Sequence, residues 1–336
     1  LKGGRIDDLT LLDYKTTIDD GSPAVTLFSP QDAPRPYFGQ FGWIPIGELK
    51  EPDSKTVWQA DHPSVQPSRP LTLSWDNGQG VRFIQVIEID DNFMMTVTQR
   101  VENSSTQAIS THPYGRIART HTPDTLGFYI LHEGPLAVFN DTLKEVDYDD
   151  LQEGPADATK STGGWIGITD KYWLAALIPD QKEPYTGTFR YSQPNKQDTY
   201  QADFMTQAPQ VIAPGATAQT VSHIFVGAKE VNLLDRYEVQ LGIARFDLAV
   251  DFGWFYFLTK PIFYALNFFN RIFGNFGLGI LALTVAFRLL MYPLANKSFR
   301  SMNAMKKLHP QITELRERFG EDKARMNQEM MALYKR

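Results

Sequence analysis

From Gly274 to Asn296 the chain carries one charged residue, Arg288, in 23 positions. As a helix rising about 1.5 Å per residue, this segment is about 34 Å long and matches the hydrocarbon layer of a bilayer. A stretch of that length and polarity spans a membrane, so the rest of the chain must be sorted by side. The flanks supply the sorting. Residues 1–250 hold 20 Lys+Arg against 33 Asp+Glu, whereas residues 297–336 hold 10 against 5. Basic residues concentrate on the cytoplasmic side of a span. The tail is therefore expected in the cytoplasm and the acidic front outside it.

Residues 1–228 read as β structure. Leu71, Leu73 and Trp75 alternate with polar neighbours, Asp76-Asn77-Gly78 supplies turn chemistry, and alternation resumes at Val81 and Phe83. After Asp90-Asp91-Asn92, the residues Phe93, Met95, Val97, Gln99 and Val101 face one way. Further strands are expected at 128–131, 165–168, 173–178, 187–191 and 222–226. Many short strands with turn signals and little helical periodicity predict a β-sandwich or related double sheet. The acidic stretch 147–164 reads as a long surface loop. Over 229–249, Val231, Leu234, Tyr237, Leu241 and Ala244 recur at helical spacing, predicting a helix that closes the domain.

Residues 250–273 are rich in aromatics. On a helical wheel Tyr256, Lys260, Tyr264, Asn267, Asn270 and Arg271 form one polar stripe, and the remaining face is apolar. Such a helix lies in a membrane interface, with Trp254, Phe255 and Phe269 at headgroup depth and Lys260 and Arg271 toward water. Pro261 is expected to break it in two. Packing on the sandwich is the competing explanation of its aromatics. After the 274–296 span, Met305, Leu308, Ile312, Leu315 and Phe319 step three and four apart. Gly320-Glu321-Asp322 interrupts, and Met326, Met330 and Leu333 begin a second seam, so 297–336 is expected to form an antiparallel helical hairpin. Lys306, Lys307, Arg316, Arg318, Lys323 and Arg325 decorate it. These cations are either a solvated face or contacts to anionic lipid or ribosomal RNA.

Arg288 is the strongest candidate for function. It lies about 4 Å past the middle of the span, and placing it there costs about 2.5–3.5 kcal/mol on insertion scales. A guanidinium cannot discard its proton, so it needs water, a carboxylate or a polar cavity. Thr284, one turn earlier, shares its face. A structural ion pair or snorkelling would explain Arg288 equally well without function. The chain has no cysteine, which removes disulfides and thiolate metal sites. Its six histidines show no ligand spacing, and no nucleotide-binding or hydrolase motif occurs. No cofactor is expected. No signal peptide is visible at the start, and Arg336 interrupts a helical pattern, so the chain reads as part of a longer protein.

The order of these parts resembles the YidC membrane-protein insertases of Gram-negative bacteria. The residues that carry the likeness are Gly163-Gly164-Trp165 with Tyr172 and Ile178-Pro179, Phe225-Val226-Gly227, and Asp251-Phe252-Gly253-Trp254. More specific are Thr284 to Arg288, Met291-Tyr292-Pro293-Leu294, and the run from Gln328 to Lys335. The resemblance implies a periplasmic super-sandwich like that of sugar mutarotases, without their activity, and an inner-membrane location. It implies a polar intramembrane groove, of which this chain supplies one helix, with Arg288 and Thr284 facing passing clients. It also implies nascent membrane proteins and lipids as partners, with contacts to the Sec translocon and ribosome, and a mobile cytoplasmic hairpin. The rival readings are a membrane-tethered carbohydrate-active enzyme, with His112 or His121 beside an acid in a cleft, and a single-span scaffold or receptor.

Overall fold

The computed structural model describes residues 2–125, 131–154, 157–253 and 255–319, together with residues 327 and 331. The chain divides into two compact units, Leu1–Asp251 and Phe252–Arg336.

The first unit is a sandwich of two antiparallel sheets. One runs in the order Arg5–Ile6, Tyr37–Ile46, Ile109–Thr120, Thr199–Thr206, Pro184–Ser192, Asp157–Thr162, with Gln210–Ile212 added to Ile109–Thr120. The other runs Thr142–Glu145, Gly134–Phe139, Trp165–Thr169, Trp173–Ile178, Thr217–Ala228, Met94–Asn103, Val81–Ile89, Leu71–Asp76, Gln59–Ala60. The alternation in the sequence sets which face each strand buries. Met95, Val97 and Val101 enter the core between the sheets with Phe83 and Leu177, meeting Phe41, Ile117 and Phe204 from the other sheet. Gln99 shares their face, and its amide donates to the Gly42 carbonyl 2.6 Å away, as Gln85 does to Phe41 at 2.8 Å. Two buried amides thus tie the sheets together with their donors satisfied.

The second sheet is buried on both faces at Gly134–Phe139 and Trp165–Thr169, which is why these strands are apolar up to Thr169 instead of alternating. Its outer face is covered by a helix, α2 (Val231–Leu241), and a 3-10 turn at Phe246–Ala249. Leu233, Leu234, Tyr237 and Phe246 pack there on Trp165, Phe225 and Leu174. The helix expected over 229–249 is therefore shorter. Gly242, in the left-handed region at φ 65°, ends it, and the chain turns back to dock Phe246.

The stretch 147–164 is not a loop. A short helix, α1 (Tyr148–Glu153), buries Tyr148 and Leu151, and Asp157–Thr162 forms the edge strand of the first sheet. Tyr148 meets Tyr200 edge-on at 4.6 Å between ring centroids. The strand expected at 128–131 lies mostly outside the described residues.

The Gly163-Gly164-Trp165 motif has a backbone explanation. Gly164 sits at φ 91°, and a Cβ there would fall 2.0 Å from the Val138 carbonyl oxygen. The residue after it, Trp165, is fully buried against Phe246 and donates its indole N–H to the Arg245 carbonyl at 3.3 Å. Gly164→Ala combines an unfavourable φ with a backbone clash and is expected to destabilise the sandwich by about 3 kcal/mol or more. Urea unfolding followed by tryptophan fluorescence measures this.

Candidate functional site

The second unit is helical. α3 (Tyr256–Phe273) is continuous through Pro261, contrary to the expected break. A proline five residues into a helix removes one hydrogen bond near the end, where the chain tolerates the loss better than at its middle. None of its residues is buried, and Phe257 is 75% exposed. On the polar stripe, the Lys260 ammonium donates to the Tyr256 hydroxyl at 2.7 Å and lies 5.2 Å from that ring's centroid. Phe269 is half-buried and stacks on Phe273 at 6.5 Å, while Phe255 and Arg271 are exposed. Trp254 lies outside the described residues. Gly274, at φ 64°, closes α3 by donating to the Asn270 carbonyl at 2.7 Å.

The next helix, α4 (Phe276–Phe319), opens where the Asn275 side chain accepts the Leu278 amide at 3.2 Å. It packs back on α3 at Gly279, where a Cβ would sit 3.3 Å from the Asn270 nitrogen. The 28 residues Phe276–Asn303 are long and apolar enough to cross a membrane. Their large side chains are not covered by protein; Leu281, Leu289, Leu290 and Leu294 are all exposed. So much contiguous apolar surface is untenable in water and requires a lipid surround.

Thr284 and Arg288 both lie on this helix, one turn apart and exposed. The Thr284 hydroxyl donates to the Ile280 carbonyl at 2.8 Å, so its hydrogen is used within the helix and its oxygen remains an acceptor. Among the described residues, Arg288 has no hydrogen bond or ion pair. The helix does not stop at Asn296. It carries Pro293 and Pro310 inside and runs without interruption into the first arm of the expected hairpin. Pro293 leaves the Leu289 carbonyl without its usual donor, one residue beyond Arg288. Lys306 and Arg318 are exposed on this extension. Lys307 and Arg316 are placed only as helix backbone, and Lys323, Arg325 and the second arm fall outside the described residues.

Sequence reasoning missed a second feature, in the first unit. A cavity of about 500 Å³ is lined by Lys15, Lys171, Tyr172, Trp173, Lys229 and Glu230, among others. Lys229 is half-buried and donates to the Thr169 hydroxyl at 2.9 Å. Burial pushes its ammonium down to about 8, against the opposing pull of Asp170, Asp251, Glu133 and Glu145. Asp170 is itself held by Arg119 at 2.6 Å. In the sequence, the one clue was a lysine directly following the apolar strand that ends at Ala228. His112, by contrast, hydrogen-bonds the Thr206 carbonyl at 2.9 Å, and neither it nor His121 lines this cavity. Among the described residues, no group of His, Asp and Glu is arranged to hold a metal.

Comparison with known proteins places both units. Residues 1–265 match the family model described as the YidC periplasmic domain, and residues 268–336 match that of the 60Kd inner membrane protein. The whole chain aligns at 45% identity with the membrane protein insertase YidC of Rickettsia bellii, covering 60% of that protein. It aligns at 45% with the namesake from Methylobacterium nodulans, covering 57%. The chain thus spans less than two thirds of these relatives. Solved structures with some likeness include a putative aldose 1-epimerase from Escherichia coli K12, at 14% identity and TM-score 0.36 over 53% of this chain and 72% of that one. A galactose mutarotase-like protein from Lactobacillus casei gives 9% identity and TM-score 0.39 over 56% and 85%.

The lowered affinity of Lys229 for its proton has a direct readout. Amine-reactive labelling of this lysine is expected to reach half its maximum near pH 8, while exposed lysines follow the usual value of about 10.4. Mass spectrometry of a pH series resolves the two.

Proposed function

The chain belongs to the YidC family of membrane-protein insertases, and from that premise we propose that Arg288 and Thr284 line a polar groove that admits the hydrophilic parts of client proteins. The family places the sandwich in the periplasm and the helical unit in the inner membrane. One observation carries the proposal: Arg288 lies exposed on an apolar helix and, among the described residues, has no partner. A guanidinium in that setting must find water, lipid phosphate or another chain. A groove walled by the rest of the protein supplies water and keeps the cation available.

The mechanism is physical, with no bond made or broken. The groove's water and positive charge lower the cost of drawing a client's polar tail into the bilayer. The client's apolar segment then leaves for lipid, gaining about 25 cal/mol per Å² of apolar surface removed from water. Partition into lipid drives the process, and Arg288 reduces the barrier. Thr284 offers an acceptor lone pair on the same face, and the Leu289 carbonyl opened by Pro293 adds a second.

The other parts support this role. α3 lies in the periplasmic interface, with Trp254, Phe255 and Phe269 among the headgroups and Lys260 and Arg271 toward water. The basic residues 306–325 project into the cytoplasm, where Lys306, Lys307, Arg316, Arg318, Lys323 and Arg325 meet anionic lipid and the ribosome. Clients arrive there or from the Sec translocon.

In the complete protein, Arg288→Ala is expected to slow insertion of clients with acidic tails, and Arg288→Lys to retain more activity than Arg288→Ala. A photocrosslinker at position 284 is expected to capture a nascent client. Equal loss in both variants would argue against a charge role, and self-crosslinking along residues 305–319 without client would support the scaffold reading instead.

A further inference from the structure

Phe38 is buried, yet it joins neither apolar core. Tyr37 and Phe41 point between the sheets, so Phe38 points to the outer face of the first sheet, and two arginines lie over it there. The Arg5 guanidinium carbon is 4.8 Å from the ring centroid and that of Arg116 is 5.7 Å from it. The sheet register explains the convergence. Arg5, on the strand Arg5–Ile6, and Arg116, on Ile109–Thr120, both stand opposite Gln40 on the strand between them, so the three form one row on that face.

Two cations in one row repel each other, and the fold does not neutralise them. Gln40 accepts from Nε and Nη2 of Arg116 at 3.0 and 2.6 Å, while its own amide donates to the Gly3 carbonyl at 3.1 Å. The Gln31 carboxamide accepts from Arg5. Each guanidinium is thus aimed by a neutral group. Elsewhere on the same sheet Arg119 and Arg190 have carboxylate partners, but among the described residues neither Arg5 nor Arg116 has one within ion-pair distance. Asp203 stands opposite Arg116 in register, yet its carboxylate bonds Arg190 at 3.0 Å and Gln201 at 2.9 Å. Asp7 and Asp32 act on Arg5 only from farther away, and burial together with the charge of Arg116 loosens the hold of Arg5 on its proton. In the next row the Tyr114 side chain crosses Gly42, where a Cβ would fall 2.7 Å from the phenol oxygen. That hydroxyl has no hydrogen-bond partner among the described residues, and burial pushes its pKa up, so it keeps a proton to donate.

This row lacks negative charge. A carboxylate brings one charge and two oxygens, which suits one guanidinium fork. A phosphate monoester brings about −1.5 to −2 charge and three acceptor oxygens, enough for both forks and the phenol at once. We propose that Arg5 and Arg116, with the Tyr114 hydroxyl, bind the phosphate group of a phosphomonoester on the outer face of the sandwich. The family places this unit in the periplasm, so the phosphate is carried by a solute or a lipid headgroup of that compartment.

The test titrates the full chain, in a neutral detergent, with inorganic phosphate, glucose 1-phosphate and dihexanoyl phosphatidic acid by calorimetry. Saturable binding of all three is expected. A preference for one ester names the carrier as solute or lipid, and equal affinities support a site that reads the phosphate alone. Arg5→Met and Arg116→Met keep an apolar stem over Phe38 and remove the charge. Each is expected to weaken binding about tenfold, while the melting temperature without ligand stays unchanged or rises as a repulsion is removed. Tyr114→Phe alters no charge, so it keeps the test decisive if a methionine variant folds poorly; it is expected to weaken binding about threefold. Phosphate binding that is equal in all variants and the parent would overturn the site. A lowered melting temperature in both methionine variants, with no phosphate binding by the parent, would mark a structural pair and overturn it too. Binding of polyglutamate without phosphate would point to an acidic polypeptide and overturn the phosphate assignment, as would binding of inorganic phosphate with both esters excluded.

Discussion

A guanidinium keeps its proton in every environment a protein offers, and this one is carried by a helix whose surface is otherwise apolar. Those two facts pull Arg288 in opposite directions. Leu281, Leu289, Leu290 and Leu294 demand lipid, while Arg288 demands water or a counter-charge. The helix itself can satisfy only the first demand. It already absorbs its own threonine, whose hydroxyl is bonded back to Ile280, and it offers Arg288 no carboxylate among the described residues. The second demand has to be met from outside this stretch. The polar groove proposed above meets both demands, and the proposed transport of polar cargo rests on it.

The sandwich is built for a different solvent. Its core closes between two sheets, and a second core closes under α2 and Phe246, so a sheet apolar on both faces is hidden from water. The side-chain amides of Gln85 and Gln99 bond across to the opposing sheet, and Arg119 bonds Asp170. The contrast with Arg288 is instructive. One arginine is locked in a protein pair and holds structure; the other has no partner among the described residues.

The parts of this architecture that were legible in the sequence are those set by local periodicity. The inward face of Met95, Val97, Gln99 and Val101 came from a period of two, and the membrane helix came from length and the lack of charge. Contacts made at a distance were not legible. Asp157–Thr162 is polar and looks like a loop; it becomes a strand because Pro184–Ser192 offers it an edge. Tyr148 and Leu151 are two apolar residues in an acidic stretch, and they are buried because they join the core between the sheets, where Tyr148 meets Tyr200 from a distant strand. Lys229 gave no motif, because its carboxylate neighbours come from four separate segments. Pro261 reads as a break by local rules, yet it does not end a helix here, since the surrounding turns carry it past one missing bond. Of the proposed site, Arg288 stood out as the lone charge in an apolar stretch and Thr284 by its spacing one turn earlier, and both remain proposals as groove residues.

Water accessibility along α4 tests the groove most directly. The chain contains no cysteine, so each thiol introduced within residues 1–336 is a unique reporter there. In the complete protein in sealed vesicles, Thr284→Cys and Met291→Cys share the face of Arg288, and Ala286→Cys and Leu290→Cys face away from it. A charged, membrane-impermeant thiol reagent is expected to modify the first pair readily and the second pair hardly at all. Protection of all four positions would mean that Arg288 has no water beside it, and the account of a wet groove would be wrong.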